Sequence, residues 1–246
     1  MSDTADESYR RRVVEIFDGV DYGPKQVLTL SDTEILALDD PKKQRVTPLL
    51  SLQGLSGDRL NDTAKAAAER LFEAGHAEDG TPLGGPGSED EPTVRTVLRM
   101  RRSWLCLLVI DQNSALGRDF ISMYLRADGR ALTELASHNG QHTFTVMKRA
   151  VALDSALQLL TPFAEVDSDD ADGDAYPIGT WQDRAADTLA QAKVVSTVSS
   201  RRQNRAMDRR VEDRFAVYNF DERTEILFTE SADRVRIAPI ARPTLR

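Results

Sequence analysis

The fold is decided by residues 104–162, which read WLCLLVIDQNSALGRDFISMYLRADGRALTELASHNGQHTFTVMKRAVALDSALQLLTP. Apolar runs of strand length alternate with polar turns. The Asp-Gly pair at 128–129 and the Asn-Gly pair at 139–140 tolerate the positive φ that tight hairpins need. The stretch therefore predicts four antiparallel strands, and the spacing of its last apolar residues predicts a helix that ends at Pro162. No residue in it suggests chemistry, so we interpret the meander as a structural platform.

Outside this stretch, the sequence predicts further helices and a second meander. Ser31 and Glu34 have the spacing of a capping box at the start of a helix. Residues 58–74 place apolar side chains on one helical face, and three alternating segments between 214 and 238 predict short strands. Blocks of strands joined by hairpins favour an α+β fold with an antiparallel sheet over a doubly wound parallel fold.

The chain divides by composition into four parts. We expect residues 1–25 to be an N-terminal segment that is partly disordered, and residues 26–163 to be a first half with a helix and the four-stranded meander. The acidic stretch 164–175 predicts a linker. Residues 176–246 then form a second half with helices and a small meander.

Charge and composition limit the classes of function. The formal net charge of -8 repels phosphate, which argues against a nucleic-acid partner and against binding to an anionic membrane surface. Cys106 is the single cysteine, so an internal disulfide is excluded and a reducing compartment is indicated. The polar, acidic start lacks the pattern of a secretory signal, and no run approaches about 18 apolar residues. We therefore expect a cytoplasmic protein without membrane insertion.

The motifs of common catalytic and metal sites are missing from the sequence. An EF-hand alignment of the acidic stretch puts Gly179 where a bidentate Glu is required. His138 and His142 flank a predicted turn, so we interpret both as surface residues rather than metal ligands. There is no nucleophile elbow, dinucleotide fingerprint or P-loop. We therefore predict a protein that is not an enzyme and needs no metal or cofactor.

Arginines cluster between residues 201 and 214 of this acidic chain. One interpretation is a solvated helix face on which they pair with nearby acidic residues. A second interpretation is a site for phosphate or nucleic acid. A third is a protein-binding surface, since arginine is enriched at interfaces.

An alternative function is a transcription regulator with a winged-helix part. The helix 58–74 and the turn after it have the order of a recognition helix leading into a wing. The helix and the turn both carry more acidic than basic residues, whereas a DNA-binding protein needs positive charge on its recognition helix and wing. We keep this function as the second hypothesis.

Three segments resemble the EspG family, whose members are associated with ESX (type VII) secretion in actinobacteria. They are residues 66–80, AAAERLFEAGHAEDG, then the meander with its closing helix 151–162, and the C-terminal residues 215–239, which end in VRIAP. The resemblance implies one domain in which helical bundles and a central antiparallel sheet form two quasi-symmetric halves. It also implies a cytoplasmic, non-enzymatic chaperone that covers the helical tip of a secreted PE–PPE heterodimer.

The family pattern indicates which residues would contact such a partner. They are Gln112, Asn113, Leu116 and Arg118, in the loop between the first two meander strands. This loop is short compared with that of several family members, which leaves the partner's identity open. A second expected surface contains Trp181, Arg201, Arg202 and Arg205, although Trp181 also fits a core position. A monomer and a homodimer are both compatible with the sequence.

Overall fold

The computed structural model describes residues 2–39, 47–73, 93–161, 173–178, 180–182, 187, 189–204, 209–221, 223–229, 231 and 233–239. The α-helices whose bounds are defined in these ranges are α1 (Ser2–Ile16), α2 (Asp32–Leu38), α3 (Gly57–Glu73), α4 (Thr93–Met100) and α5 (Arg149–Leu160). The strands are β1 (Lys25–Ser31), β2 (Cys106–Ser114), β3 (Gly117–Leu125), β4 (Arg130–Ala136), β5 (Gln141–Lys148), β6 (Asp174–Pro177), β7 (Val194–Asn204), β8 (Arg209–Asn219), β9 (Thr224–Thr229) and β10 (Arg234–Pro239).

The strands form a ten-stranded sheet in the order β1-β5-β4-β3-β2-β7-β8-β9-β10-β6. The strand pairs whose registers are defined are antiparallel. The predicted α+β fold with an antiparallel sheet is therefore confirmed. The chain separates into two compact units, the first made of Met1–Leu105 and Phe120–Arg149 and the second of Cys106–Asp119 and Ala150–Arg246.

The first unit is built on the meander of β3, β4 and β5, with β1 paired to β5. Its two turns are those that the sequence predicts, and Gly129 and Gly140 adopt φ values of 79° and 77° there. Helix α2 follows β1 directly. The predicted capping box is present, since the Ser31 amide donates to Glu34 Oε2 at 2.7 Å and the Glu34 amide donates to Ser31 Oγ at 3.3 Å.

One face of β4 and β5 is buried along most of its length. Alternate residues of each strand point into the core because side chains alternate between the two faces of a sheet. The buried residues are Leu132, Glu134 and Ala136 on β4 and His142, Phe144 and Val146 on β5. Two charged or titratable side chains thus occupy positions that the pattern assigns to the core.

Helix α1 begins at Ser2, in a segment for which we expected partial disorder. It is attached to α4 by Arg99, whose Nη2 donates to Asp6 Oδ1 at 2.6 Å and whose guanidinium lies 3.8 Å from the centre of the Tyr9 ring. A cation facing an aromatic ring is an attractive contact. These contacts place the N-terminal helix within the first unit.

The second unit contains the hairpin of β7 and β8. This hairpin includes part of the arginine-rich stretch, so the prediction of a solvated helix there is wrong. These strands pair from Val194 opposite Asn219 to Asn204 opposite Arg209. The reason lies in residues 194–198, Val-Val-Ser-Thr-Val, since β-branched side chains favour strands. The neighbouring arginines Arg201 and Arg202 of β7 therefore lie on opposite faces of the sheet instead of lining one helix.

The edge of the second unit is formed by β6, which pairs with β10. This strand includes Asp174 and Ala175, the last two residues of the stretch 164–175. The rest of the predicted linker lies outside the described residues, apart from Gly173. The helix predicted over 58–74 corresponds to α3, and the turn expected after it also lies outside them.

Candidate binding surface

The hairpin of β2 and β3 carries all four residues of the first predicted surface. Ala115 and Leu116 form its turn, and Leu116 is 85% exposed. The Leu116 amide donates to Ser114 Oγ at 3.2 Å, and Ser114 Oγ donates to the Gly117 carbonyl at 3.4 Å. These bonds order the turn, so the hairpin presents an apolar side chain from a defined backbone.

Arg118 and Asp111 connect the two strands of this hairpin below the turn. Arg118 Nε donates to one Asp111 carboxylate oxygen at 2.8 Å, and its Nη2 donates to the other at 2.7 Å. The Asp111 hydrogen bond raises the pKa of Arg118. Because the contact is bidentate, it fixes the orientation of both side chains as well as pairing their charges.

Gln112 and Asn113 lie on opposite faces of β2 because they are consecutive strand residues. Gln112 Nε2 donates to Ser196 Oγ of β7 at 3.3 Å, whereas Asn113 is exposed. The hairpin thus carries one amide that ties it to β7 and one that faces solvent near Leu116.

The second predicted surface is not brought together by the structure. Trp181 packs against the buried pair Leu189 and Phe220, which follows β8 directly. Arg202 lies eight residues along β7 from Val194, the residue that pairs at that end of β8. At a strand rise of about 3.3 Å per residue, this is a separation of about 26 Å along the strand. Trp181 therefore belongs to a hydrophobic cluster remote from that arginine.

The arginines of that surface also divide among themselves. Arg201 is half-buried and pairs in register with Leu107, whereas Arg202 is exposed and pairs with Cys106. As neighbours on β7, they face opposite sides of the sheet. Arg205 lies outside the described residues.

A buried polar cluster in the first unit is absent from our sequence-based expectations. Its centre is Glu134, which is fully buried on β4. Tyr124 Oη, Thr47 Oγ1 and Arg101 Nε donate to Glu134 Oε2 at 2.7, 3.0 and 3.0 Å. Four elements or segments of the first unit therefore meet at one carboxylate.

His142 extends the cluster from Glu134 to helix α2. Its Nδ1 lies 2.9 Å from Glu134 Oε1, and its Nε2 lies 2.6 Å from Asp32 Oδ1. The other Asp32 oxygen accepts from the amide and hydroxyl of Ser51, both at 2.7 Å. The expectation that His142 lies at the surface is therefore wrong, whereas His138 is exposed as expected.

Asp39 is the third carboxylate of the cluster and contacts its two arginines. It accepts from Arg101 Nη1 at 3.4 Å and from Arg102 Nη2. Burial disfavours the charged form of Glu134, but the charges of Arg101 and His142 outweigh it and lower the Glu134 pKa to about 2. Glu134 is therefore a carboxylate at neutral pH.

The signal for this cluster was present in the alternation of β4 and β5. His142 shares its strand face with Phe144 and Val146, and Glu134 shares its face with Leu132. A titratable residue in phase with core residues has to find partners inside the protein. Applying this rule to the strands would have placed both residues in the core.

The cluster's contacts are directed inward. Both nitrogens of His142 and all four carboxylate oxygens of Glu134 and Asp32 contact protein groups. In the part of the chain that the structure describes, no three His, Cys, Asp or Glu side chains are arranged to hold a metal ion. The geometry supports a role in joining elements of the first unit.

Comparisons with known proteins give a likeness to a solved structure. No protein-family model matches the chain, and no curated protein matches it. Among solved structures, the chain is similar to the Mycobacterium tuberculosis type VII secretion system chaperone EspG5, solved in complex with a PE25-PPE41 dimer. The two share 11% identity with a TM-score of 0.49, over 89% of this chain and 92% of that chain. Separately, none of the helices in the described ranges is long and apolar enough to cross a membrane.

Proposed function

We propose that this chain is a non-enzymatic binding protein that covers the helical tip of a secreted PE–PPE-like substrate of a type VII secretion system. The observation that carries the proposal is the β2–β3 hairpin, which exposes Leu116 on an ordered turn. The class of partner comes from the sequence resemblance to the EspG family. The proposal includes action in the cytoplasm, as a monomer or homodimer, without a metal or cofactor.

The chemistry of the hairpin suits contact with an apolar helical surface. Burying a leucine side chain contributes about 1.5–3 kcal/mol. Arg118 is already paired with Asp111, so that charge would not enter the interface without a counterion. Asn113 supplies an exposed amide that can donate and accept hydrogen bonds beside the apolar contact.

The order of the hairpin also favours binding. A contact loop that is already fixed loses less conformational freedom when a partner docks. The Ser114 bonds and the bidentate Arg118 contact provide this order before any partner is present. Leu116 would therefore act as an anchor, with the neighbouring polar groups forming the rim.

The proposal is tested by capture from the cytosol of the source organism. Tagged wild-type chain and a Leu116→Asp variant are used as baits, and bound proteins are identified by mass spectrometry. We expect the wild type to retain a secreted helical protein in a one-to-one ratio and Leu116→Asp to lose it. The matched control is Leu153→Asp, since Leu153 is a leucine of the same unit that is 38% exposed.

Two outcomes would count against the proposal. Equal capture by the wild type and Leu116→Asp would remove the hairpin from the interface. Recovery of nucleic acid without a protein partner would instead support the transcription-regulator hypothesis, and its binding should then weaken steeply with salt.

A further inference from the structure

The contacts of His142 define its protonation state. A neutral imidazole has one N–H donor and one lone pair, whereas the imidazolium donates from both nitrogens. Both His142 nitrogens lie within 2.9 Å of a carboxylate oxygen, one from Glu134 and one from Asp32. A neutral ring would turn its lone pair toward one of these anions, so the geometry fits the imidazolium.

The charges around the ring agree with this assignment. Among the described residues, the cluster contains three carboxylates and two guanidinium groups, which leaves one negative charge to be balanced by His142. Asp32 of α2 and Glu134 of β4 contact the ring itself. The other polar and charged members of the cluster, which bond to these two carboxylates or to one another, are Asp39 after α2, Arg101 and Arg102 after α4, Tyr124 and Ser122 of β3, and Thr47 and Ser51. A charged His142 makes the six ionic groups neutral in sum.

The same contacts attach segments that have no strand pairing of their own. Helix α2 reaches the meander through Asp32, whose side chain contacts His142 and whose amide donates to the Gly140 carbonyl at 2.8 Å. Residues 47–52 reach it through Thr47, which bonds Glu134 and Ser122, and through Ser51. Neither segment has the ladder of backbone hydrogen bonds that holds the paired strands, so these contacts with the cluster contribute to its attachment.

We propose that the His142 imidazolium is a proton-dependent lock that holds helix α2 and residues 47–52 on the meander, and that the segments are released when the ring loses its proton. This device is independent of the proposed function, since it concerns the first unit and the candidate hairpin tip belongs to the second. Its partners are the two carboxylates, so removal of one proton leaves two buried anions facing a neutral ring.

The direction of the pH response follows from the environment of the ring. Burial alone would lower the His142 pKa, but the hydrogen bonds and charges of Asp32 and Glu134 outweigh burial and raise it above the ordinary value of 6.5. A raised pKa in the folded state means that the lock is complete below pH 6.5 and is lost as the pH rises through the folded pKa. The lock is therefore closed while His142 is protonated and opens as the pH rises through the raised folded pKa.

The direct test is nitrogen-15 NMR of the histidine rings in the full-length chain at pH 7. His142 should show protons on both ring nitrogens, and the signal should disappear in His142→Gln but persist in His138→Gln. His138 is a suitable control because it is an exposed histidine on the same hairpin. A single ring proton on His142 at pH 7 would overturn the proposal, and this readout does not require any variant to be stable.

The consequence for the two segments is tested by hydrogen exchange with mass spectrometry. Rates are divided by the intrinsic rates at each pH, so that only structural opening remains. Between pH 6.5 and the folded pKa, protection in 32–39 and 47–52 should fall up to tenfold per pH unit, because opening releases one bound proton. Strands β8 and β9 serve as the internal reference. Protection that is constant with pH, or that falls equally in His142→Gln, would contradict the lock.

Discussion

Replacing Glu134 by Gln should destabilise the first unit strongly, although the side chains have nearly the same shape. The carboxylate accepts from Tyr124, Thr47 and Arg101 at one oxygen and contacts His142 at the other. An amide has only one acceptor oxygen, so its NH₂ group must face donors on one side. The neutral side chain also removes a buried counterion of Arg101 and His142.

The size of the effect follows from burial. Breaking a buried ion pair by removing one partner costs about 3–5 kcal/mol because the remaining charge stays desolvated. Native proteins are stable by only about 5–15 kcal/mol. Glu15→Gln is the matched control, since Glu15 pairs with Arg12 on α1 and is 51% exposed. Loss of such a surface pair costs at most about 1 kcal/mol.

The assay is urea unfolding in a Trp181→Phe background. Trp104 is then the single tryptophan, and it lies in the first unit. We expect Glu134→Gln to lower the free energy of unfolding by about 3–5 kcal/mol and Glu15→Gln to lower it by less than about 1 kcal/mol. If the unfolding free energies of both variants lie within about 1 kcal/mol of each other, the cluster does not stabilise the unit.

Three further predictions concern other parts of the chain. Gly140→Ala should destabilise the protein more than Gly129→Ala does, as measured by the thermal unfolding of the two variants. Both glycines have positive φ, but only at Gly140 would an added Cβ lie 2.7 Å from Ser51 Oγ. Acid titration followed by circular dichroism should show Glu134's contribution complete above pH 4.5 and lost as the pH falls toward about 2, and a flat profile there would contradict its lowered pKa. Trp181→Ala should lower the thermal stability of the second unit, because the indole ring packs against Leu189 and Phe220. Unchanged stability would contradict this core role and would support a role of Trp181 in binding a partner.

The meander could be predicted because its signals are local. Apolar alternation and the Asn139-Gly140 pair act within a few residues, and the structure places the hairpin turn there. Strand β7 and the first half of β8 were missed because their arginines conceal the alternation, whereas residues 214–219 of β8 fall in a predicted strand. Strand β7 is paired on one side with β2, which is distant in sequence, so no local pattern indicates that partner.

The buried cluster could be predicted only in part. The phase of His142 and Glu134 in their strands indicates burial, but it does not indicate their partners. Asp32 is 110 residues from His142, and Arg101 is 33 residues from Glu134. Such contacts depend on how α2 and the residues after α4 pack against the sheet. No local pattern in the sequence indicates that packing.

The central claim is that the hairpin tip binds a helical partner, and calorimetric titration of the purified partner into the wild-type chain and two variants tests it most directly. Burial of Leu116 at about 1.5–3 kcal/mol predicts that Leu116→Asp weakens binding by at least about tenfold. Leu153→Asp should bind as the wild type does. Wild-type affinity in Leu116→Asp, with Leu153→Asp unchanged as well, would contradict the claim.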